Sequence, residues 1–144
     1  MIFWIASRKE AEKHAGDIDT PHILISITDY GAPKAIFGTN EYRQGLLRVK
    51  FDDVDSKLPG QYPITDADAA AIAKFVDFHK DKINLIVVHC EGGISRSSAT
   101  AAAIAFFLDR DASNSIFKDK RYMPNMLVFR KVLEAFLERG YNAQ

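Results

Sequence analysis

Apolar residues along this chain fall into two alternating rhythms: short continuous runs, and longer stretches with helical spacing. Residues 2–6 form an apolar run suited to a strand, and a short polar helix over 8–15 follows, ending before Gly16. Residues 22–28 are rich in β-branched side chains and predict a buried strand, which stops at the loop Asp29-Tyr30-Gly31-Ala32-Pro33. A third strand is expected over 46–51, running into the acidic stretch Asp52-Asp53-Val54-Asp55. Thr65 reads as an N-cap, with Asp66 and Asp68 in a first turn where negative charge suits the helix dipole. Ala69, Ile72, Ala73 and Val76 recur at helical spacing, which carries this helix to about His79. Residues 85–88 have the look of a central strand, and 95–108, apolar almost all round, predict a helix buried on most sides. Pro124 suits the first turn of a last helix that turns Phe129, Val132, Leu133, Phe136 and Leu137 inward and stops at Gly140.

Strands alternating with helices imply an α/β fold: a three-layer sandwich with a mostly parallel central sheet flanked by helices. No repeat, low-complexity tract or linker divides the chain, so a single domain over 1–144 is expected. In such sheets ligands sit beyond the carboxyl ends of the strands. The segment after Val88 lies at one of these ends.

Composition narrows the choice of function. The 19 basic and 19 acidic residues cancel, so there is no electrostatic footprint for nucleic acid or a membrane surface. With one cysteine, an internal disulfide is impossible and no second thiol can assist a redox cycle. No apolar stretch approaches the roughly 20 residues a membrane span needs. The opening apolar run is too short for a signal peptide, no lipidation motif closes the chain, and a cytoplasmic protein is the expectation. His14, His22, His79 and His89 are scattered, so neither a metal site nor a cofactor is expected. Oligomeric state is left open.

The chemistry concentrates in His89-Cys90-Glu91-Gly92-Gly93-Ile94-Ser95-Arg96-Ser97, between a strand and a helix. Gly92 and Gly93 let the loop curl, so that the amides of Glu91, Gly92, Gly93, Ile94, Ser95 and Arg96 can converge on one point at a helix N-terminus, forming an anion cradle. A phosphate dianion and a Cys90 thiolate both suit that place. Arg96 offers a planar fork for two phosphate oxygens. Ser97, one residue on, can donate to the thiolate, and His89 can brace the loop through its ring nitrogens. Glu91 is expected to point outward, adding negative charge near the mouth.

This run, Cys-x5-Arg-Ser preceded by His, resembles the signature of the protein tyrosine phosphatase superfamily, and within it the dual-specificity branch. The resemblance spans roughly residues 46–137, with the acidic pair Asp52-Asp53 upstream and Pro124-Asn125 downstream. It implies a two-step hydrolysis of phosphomonoesters through a cysteinyl-phosphate, with Cys90 as nucleophile and an aspartate as general acid and then base. Asp53 matches the family pattern best. Asp55 and Asp52 stay open as alternatives, because no Trp-Pro-Asp sequence fixes the register. The implied partner is a phosphorylated protein, on phosphotyrosine and also phosphoserine or phosphothreonine, or a small phosphoester. Pocket depth would come from loops such as 29–40, and the short chain favours a shallow, permissive pocket. The competing readings are a phosphatase-like module that binds phosphorylated partners without turnover, and sulfur or arsenate chemistry on a similar anion loop.

Overall fold

A strand in the middle of a parallel sheet is covered on both faces, so its side chains are buried on both. Two segments meet that condition: β2 (His22–Thr28) and β4 (Leu85–Cys90), every residue of which is buried. The remaining strands, β1 (Ile2–Ser7) and β3 (Arg43–Lys50), are partly exposed. In the computed structural model, which describes residues 1–142, they form the edges of a four-stranded sheet of order β1-β4-β2-β3. All three pairings are parallel, so the expected mostly parallel sheet is parallel throughout. The last two positions of the expected 1–144 domain lie outside the described residues.

Among the described residues, five α-helices flank the sheet: α1 (Arg8–His14), α2 (Asp66–His79), α3 (Arg96–Leu108), α4 (Arg110–Lys118) and α5 (Met126–Glu138). Side chains alternate between the faces of a strand. Ile23, Ile25, Ile27, Ile86, Val88 and Cys90 therefore join the large core with residues of α2, α3 and α5. Leu24, Leu85 and Val87 meet Ala15, Trp4, Ile18 and Phe37 in a smaller cluster on the opposite face. This alternation sends Cys90 and His89 to opposite sides of the sheet.

Local sequence explains most helix ends. Ser7 with Glu10 and Thr65 with Asp68 form reciprocal capping boxes at α1 and α2. The last helix departs from expectation at its start and in one inward residue, and ends at Glu138, just before Gly140. Asn125, not Pro124, is its boundary: the Asn125 side chain accepts from the amides of Leu127 and Val128, leaving Pro124 just outside. Leu137 is 43% exposed rather than inward. The buried stripe runs through Val128, Val132, Ala135 and Phe136, and Leu137 falls one residue, about 100° of helical rotation, beyond it. Helix α4 had no counterpart in the apolar pattern, since only Ser113 and Ile116 are buried. Its one clear signal is Asp109, an N-cap accepting from the Ala112 amide at 3.2 Å.

Candidate active site

β4 ends at Cys90 and α3 begins at Arg96, so residues 91–95 make the whole connection. Gly93 is what lets it be that short. Its φ is +68°, and a Cβ there would stand 2.6 Å from the Ser7 amide nitrogen and 2.7 Å from the Ala6 carbonyl carbon. The loop therefore lies directly against the end of β1, in a conformation that favours glycine. Arg8 holds the outside. Its amide donates to the Glu91 carbonyl at 3.1 Å, and its guanidinium reaches Glu91 Oε1 at 3.2 Å and the Lys34 carbonyl at 2.9 Å. Glu91 thus points outward, its charge turned to Arg8.

From the other side, the Met123 amide donates to the Ile94 carbonyl and the Asn125 amide to the Ser95 carbonyl, both at 3.1 Å. Ser98 Oγ donates to the Ile94 carbonyl at 2.6 Å and lies 3.1 Å from that of Ser95. With its carbonyls tied outward, the loop leaves the first amides of α3, which have no intrahelical acceptor, at the strand end.

Cys90 is 2% exposed. Its Sγ lies 3.1 Å from Ser97 Oγ and accepts from the Gly93 amide at 3.3 Å. An amide donor and a hydroxyl therefore converge on the sulfur. Arg96 is 4% exposed, and one corner of its fork is committed to protein: Nη1 donates to the Phe51 carbonyl at 2.7 Å and to Asp29 Oδ1 at 2.8 Å. Its Nε is buried without a partner. A buried guanidinium nitrogen without an acceptor is costly, so that edge of the fork is suited to an anion.

On the far face of β4, His89 Nε2 is 2.6 Å from Ser26 Oγ, and Nδ1 is 3.1 Å from the Cys90 carbonyl. The carbonyl can only accept, so Nδ1 carries the proton and Nε2 accepts from the Ser26 hydroxyl. Burial holds the His89 pKa below its ordinary value, although the bond to the Cys90 carbonyl works in the opposite direction. The ring ties β4 to β2 directly behind Cys90.

The three candidate aspartates occupy different environments. Asp53 faces the loop: its Oδ1 accepts from Ser95 Oγ at 2.9 Å and from Asn125 Nδ2 at 3.0 Å. Asp52 faces away, one oxygen on the Tyr30 amide at 3.0 Å and the other on the Tyr62 amide at 2.8 Å. These two amides hold its carboxyl below the usual range. Asp55 is exposed and makes no hydrogen bond among the described residues. Asp53, Asp55, Ser95 and Asn125 share the walls of an open cleft of about 510 Å³ with Leu58 and Met126.

Two residues of this site escaped the sequence reading. Asp29 closes β2 and pairs with Arg96; its signal was an acidic residue at the carboxyl end of a parallel strand, where ligands gather. Asn125, quoted with Pro124 in the resemblance but given no part in the site, also holds Asp53 and the Val54 carbonyl. Among the described residues, no group of three or more His, Cys, Asp and Glu is placed to hold a metal ion. No described helix is long and apolar enough to cross a membrane.

No protein-family model matches the sequence, and no curated protein matches it. The fold is nonetheless shared with solved dual-specificity phosphatases. Human DUSP28 superposes with a TM-score of 0.61 at 14% identity, over 95% of this chain and 92% of its own. The human tyrosine phosphatase-like serine/threonine/tyrosine-interacting protein gives 0.62 at 16% identity, again over 95% and 92%. A mouse putative dual specificity phosphatase, solved with zinc tungstate, gives 0.57 at 16% identity over 94% and 82%. The chain has the dual-specificity phosphatase type of fold.

Proposed function

We propose that this chain is a cysteine-dependent phosphomonoesterase acting on phosphorylated protein, with Cys90 as nucleophile. The observation that carries the reading is the buried Arg96 fork, with one corner on Phe51 and Asp29 and its Nε lacking an acceptor, beside a sulfur that accepts from the Gly93 amide and lies 3.1 Å from the Ser97 hydroxyl. That combination is suited to a tetrahedral anion presented to a thiolate. The likeness of fold to dual-specificity phosphatases supports the same reading.

In the first step Cys90 Sγ bonds to phosphorus while the ester P–O bond breaks. Asp53 gives its proton to the departing oxygen, and Ser95 and Asn125 hold that carboxyl at the loop's edge. As the transferring group flattens, Arg96 and the amides of residues 91–96 stay complementary to its three equatorial oxygens. In the second step water attacks phosphorus, Asp53 takes the water's proton, and the P–S bond breaks. Ser97, 3.1 Å from the sulfur, donates to the departing thiolate. His89 keeps the strand end in place.

Turnover of p-nitrophenyl phosphate in the presence of a chelator tests this assignment. Cys90→Ser abolishes it; Asp53→Asn lowers kcat by about 100-fold or more; Asp55→Asn stays close to wild type. Loss of activity in Asp55→Asn with Asp53→Asn unaffected would transfer the acid role to Asp55. Wild type that binds phosphopeptide without turnover would replace the enzyme with a binding module.

A further inference from the structure

β3 is an edge of the sheet, paired with β2 alone. The Phe51 amide donates to the Thr28 carbonyl, and backbone groups alternate between the two sides of a strand. Val49 and Leu47 therefore face β2 as Phe51 does, and the amides and carbonyls of Leu46, Arg48 and Lys50 turn outward. Among the described residues these three amides find no acceptor. Neither proline nor a covering strand blunts this edge over its eight residues.

The two faces beside the edge differ. On the α2 side, Leu47, Ala71, Phe75 and Phe78 line a groove of about 540 Å³. Gly45 lets α2 come this close: a Cβ there would stand 2.7 Å from His79 Nε2 and 2.8 Å from the Phe75 ring. Phe78 is 69% exposed. The Asp77 carboxylate is taken up by Arg139 and Tyr141, and Lys74 is left as the groove's uncommitted charge. On the opposite face Arg48 rests on the Ala35 carbonyl and over the Phe37 ring, and Lys50 follows two residues on. The strand carries Arg43, Arg48 and Lys50 and no carboxylate.

We propose that the β3 edge receives an extended segment of a partner protein in which apolar and acidic residues alternate, adding a strand to the sheet. The added ladder gives the outward amides their acceptors. Side chains of the new strand alternate between faces, so its apolar residues enter the α2 groove while its carboxylates meet Arg48 and Lys50. A second copy of this chain is the wrong occupant. Two-fold pairing of β3 with itself sets cations beside cations, with no carboxylate to answer them in any register. The surface stands independently of the chemistry at Cys90: the groove lies beside the first half of β3, whereas Cys90 ends β4 at the carboxyl edge of the sheet.

The test is titration of the intact protein with capped peptides as long as β3, eight residues, with amide hydrogen exchange on the complexes. One peptide alternates valine with glutamate, a second has lysine for glutamate, and a third groups the glutamates at one end. The first binds and slows exchange at Leu46, Arg48 and Lys50, and the other two bind at least about fivefold more weakly. Phe78→Ala weakens the first peptide by a similar factor, and Lys50→Glu shifts preference toward the lysine peptide. Exchange in the unbound variants, unchanged elsewhere, shows that they fold. No binding at millimolar peptide, equal binding of the glutamate and lysine peptides, or binding without protection of those three amides overturns the proposal. Protection of the same amides in a concentration-dependent dimer would give the edge to a second copy instead.

Discussion

Asp52 and Asp53 are neighbours in sequence whose carboxylates face different tasks, because the chain bends between them: the Val54 amide donates to the Asp52 carbonyl at 3.0 Å. Asp53 meets Ser95 and Asn125 at the anion loop, whereas Asp52 turns to the amides of Tyr30 and Tyr62. Asp52→Ala should therefore lower stability by about 1.5–3 kcal/mol in a urea melt, the range for a hydrogen bond to a charged group. Its effect on kcat should be small beside that of Asp53→Asn; a larger one would make Asp52 the acid. Histidines supply a second residue-level expectation. Burial is the main cause holding His22 and His89 below their ordinary pKa of 6.5. The unfolded chain then takes up protons near 6.5 while the folded one resists. Stability is full above that value and is lost as pH falls from there through the folded-state values. Denaturation midpoints should drop between pH 7 and 5.5, less steeply in His89→Gln. A flat profile would contradict the neutral, buried brace.

At the scale of elements, the β4–α3 connection depends on one glycine more than on its neighbour. A Cβ on Gly92 would meet only the Ile94 side chain, at 3.8 Å or more, whereas one on Gly93 would strike the β1 backbone in a left-handed conformation. Gly93→Ala should abolish turnover and cut stability, and Gly92→Ala should retain both; p-nitrophenyl phosphate assays and melting curves read the two together. Equal tolerance would mean that the loop does not need its contact with Ser7. This element was legible in advance because its chemistry is local: Cys90, the glycines, Arg96 and Ser97 lie within eight consecutive positions. The Asp29–Arg96 pair was not, because 67 positions separate its members and only the β2–β4 pairing brings their strand ends together. Helix α4 escaped for a different reason. Its nine residues are polar on average and bury only Ser113 and Ile116, so its amphipathic pattern carries little apolar surface to read.

Over the whole molecule, the parallel sheet could be inferred because strands alternate with helices along the chain, and the burial of β2 and β4 on both faces agrees with it. Strand order and the closing contacts could not, since they depend on long-range packing. The C-terminal end illustrates this. Tyr141 Oη donates to Asp77 Oδ1, Arg139 pairs with the same carboxylate at 2.8 Å, and the Tyr141 ring packs on Phe107 and Phe136. Phe136, fully buried between these rings and the main core, is the contact whose loss should be felt furthest. Phe136→Ala is expected to cost about 3–5 kcal/mol, read from denaturant midpoints.

The central claim is that phosphate passes through a covalent bond to Cys90, and trapping that bond tests it most directly. Wild type and Ser97→Ala would be mixed rapidly with a phosphotyrosine peptide, quenched, and mapped by peptide mass. The account predicts one phosphoryl group on the peptide containing Cys90, accumulating more in Ser97→Ala because the departing thiolate has lost its hydroxyl donor. Turnover with no phosphoryl group on Cys90 at any quench time, or with the group on another residue, would contradict it.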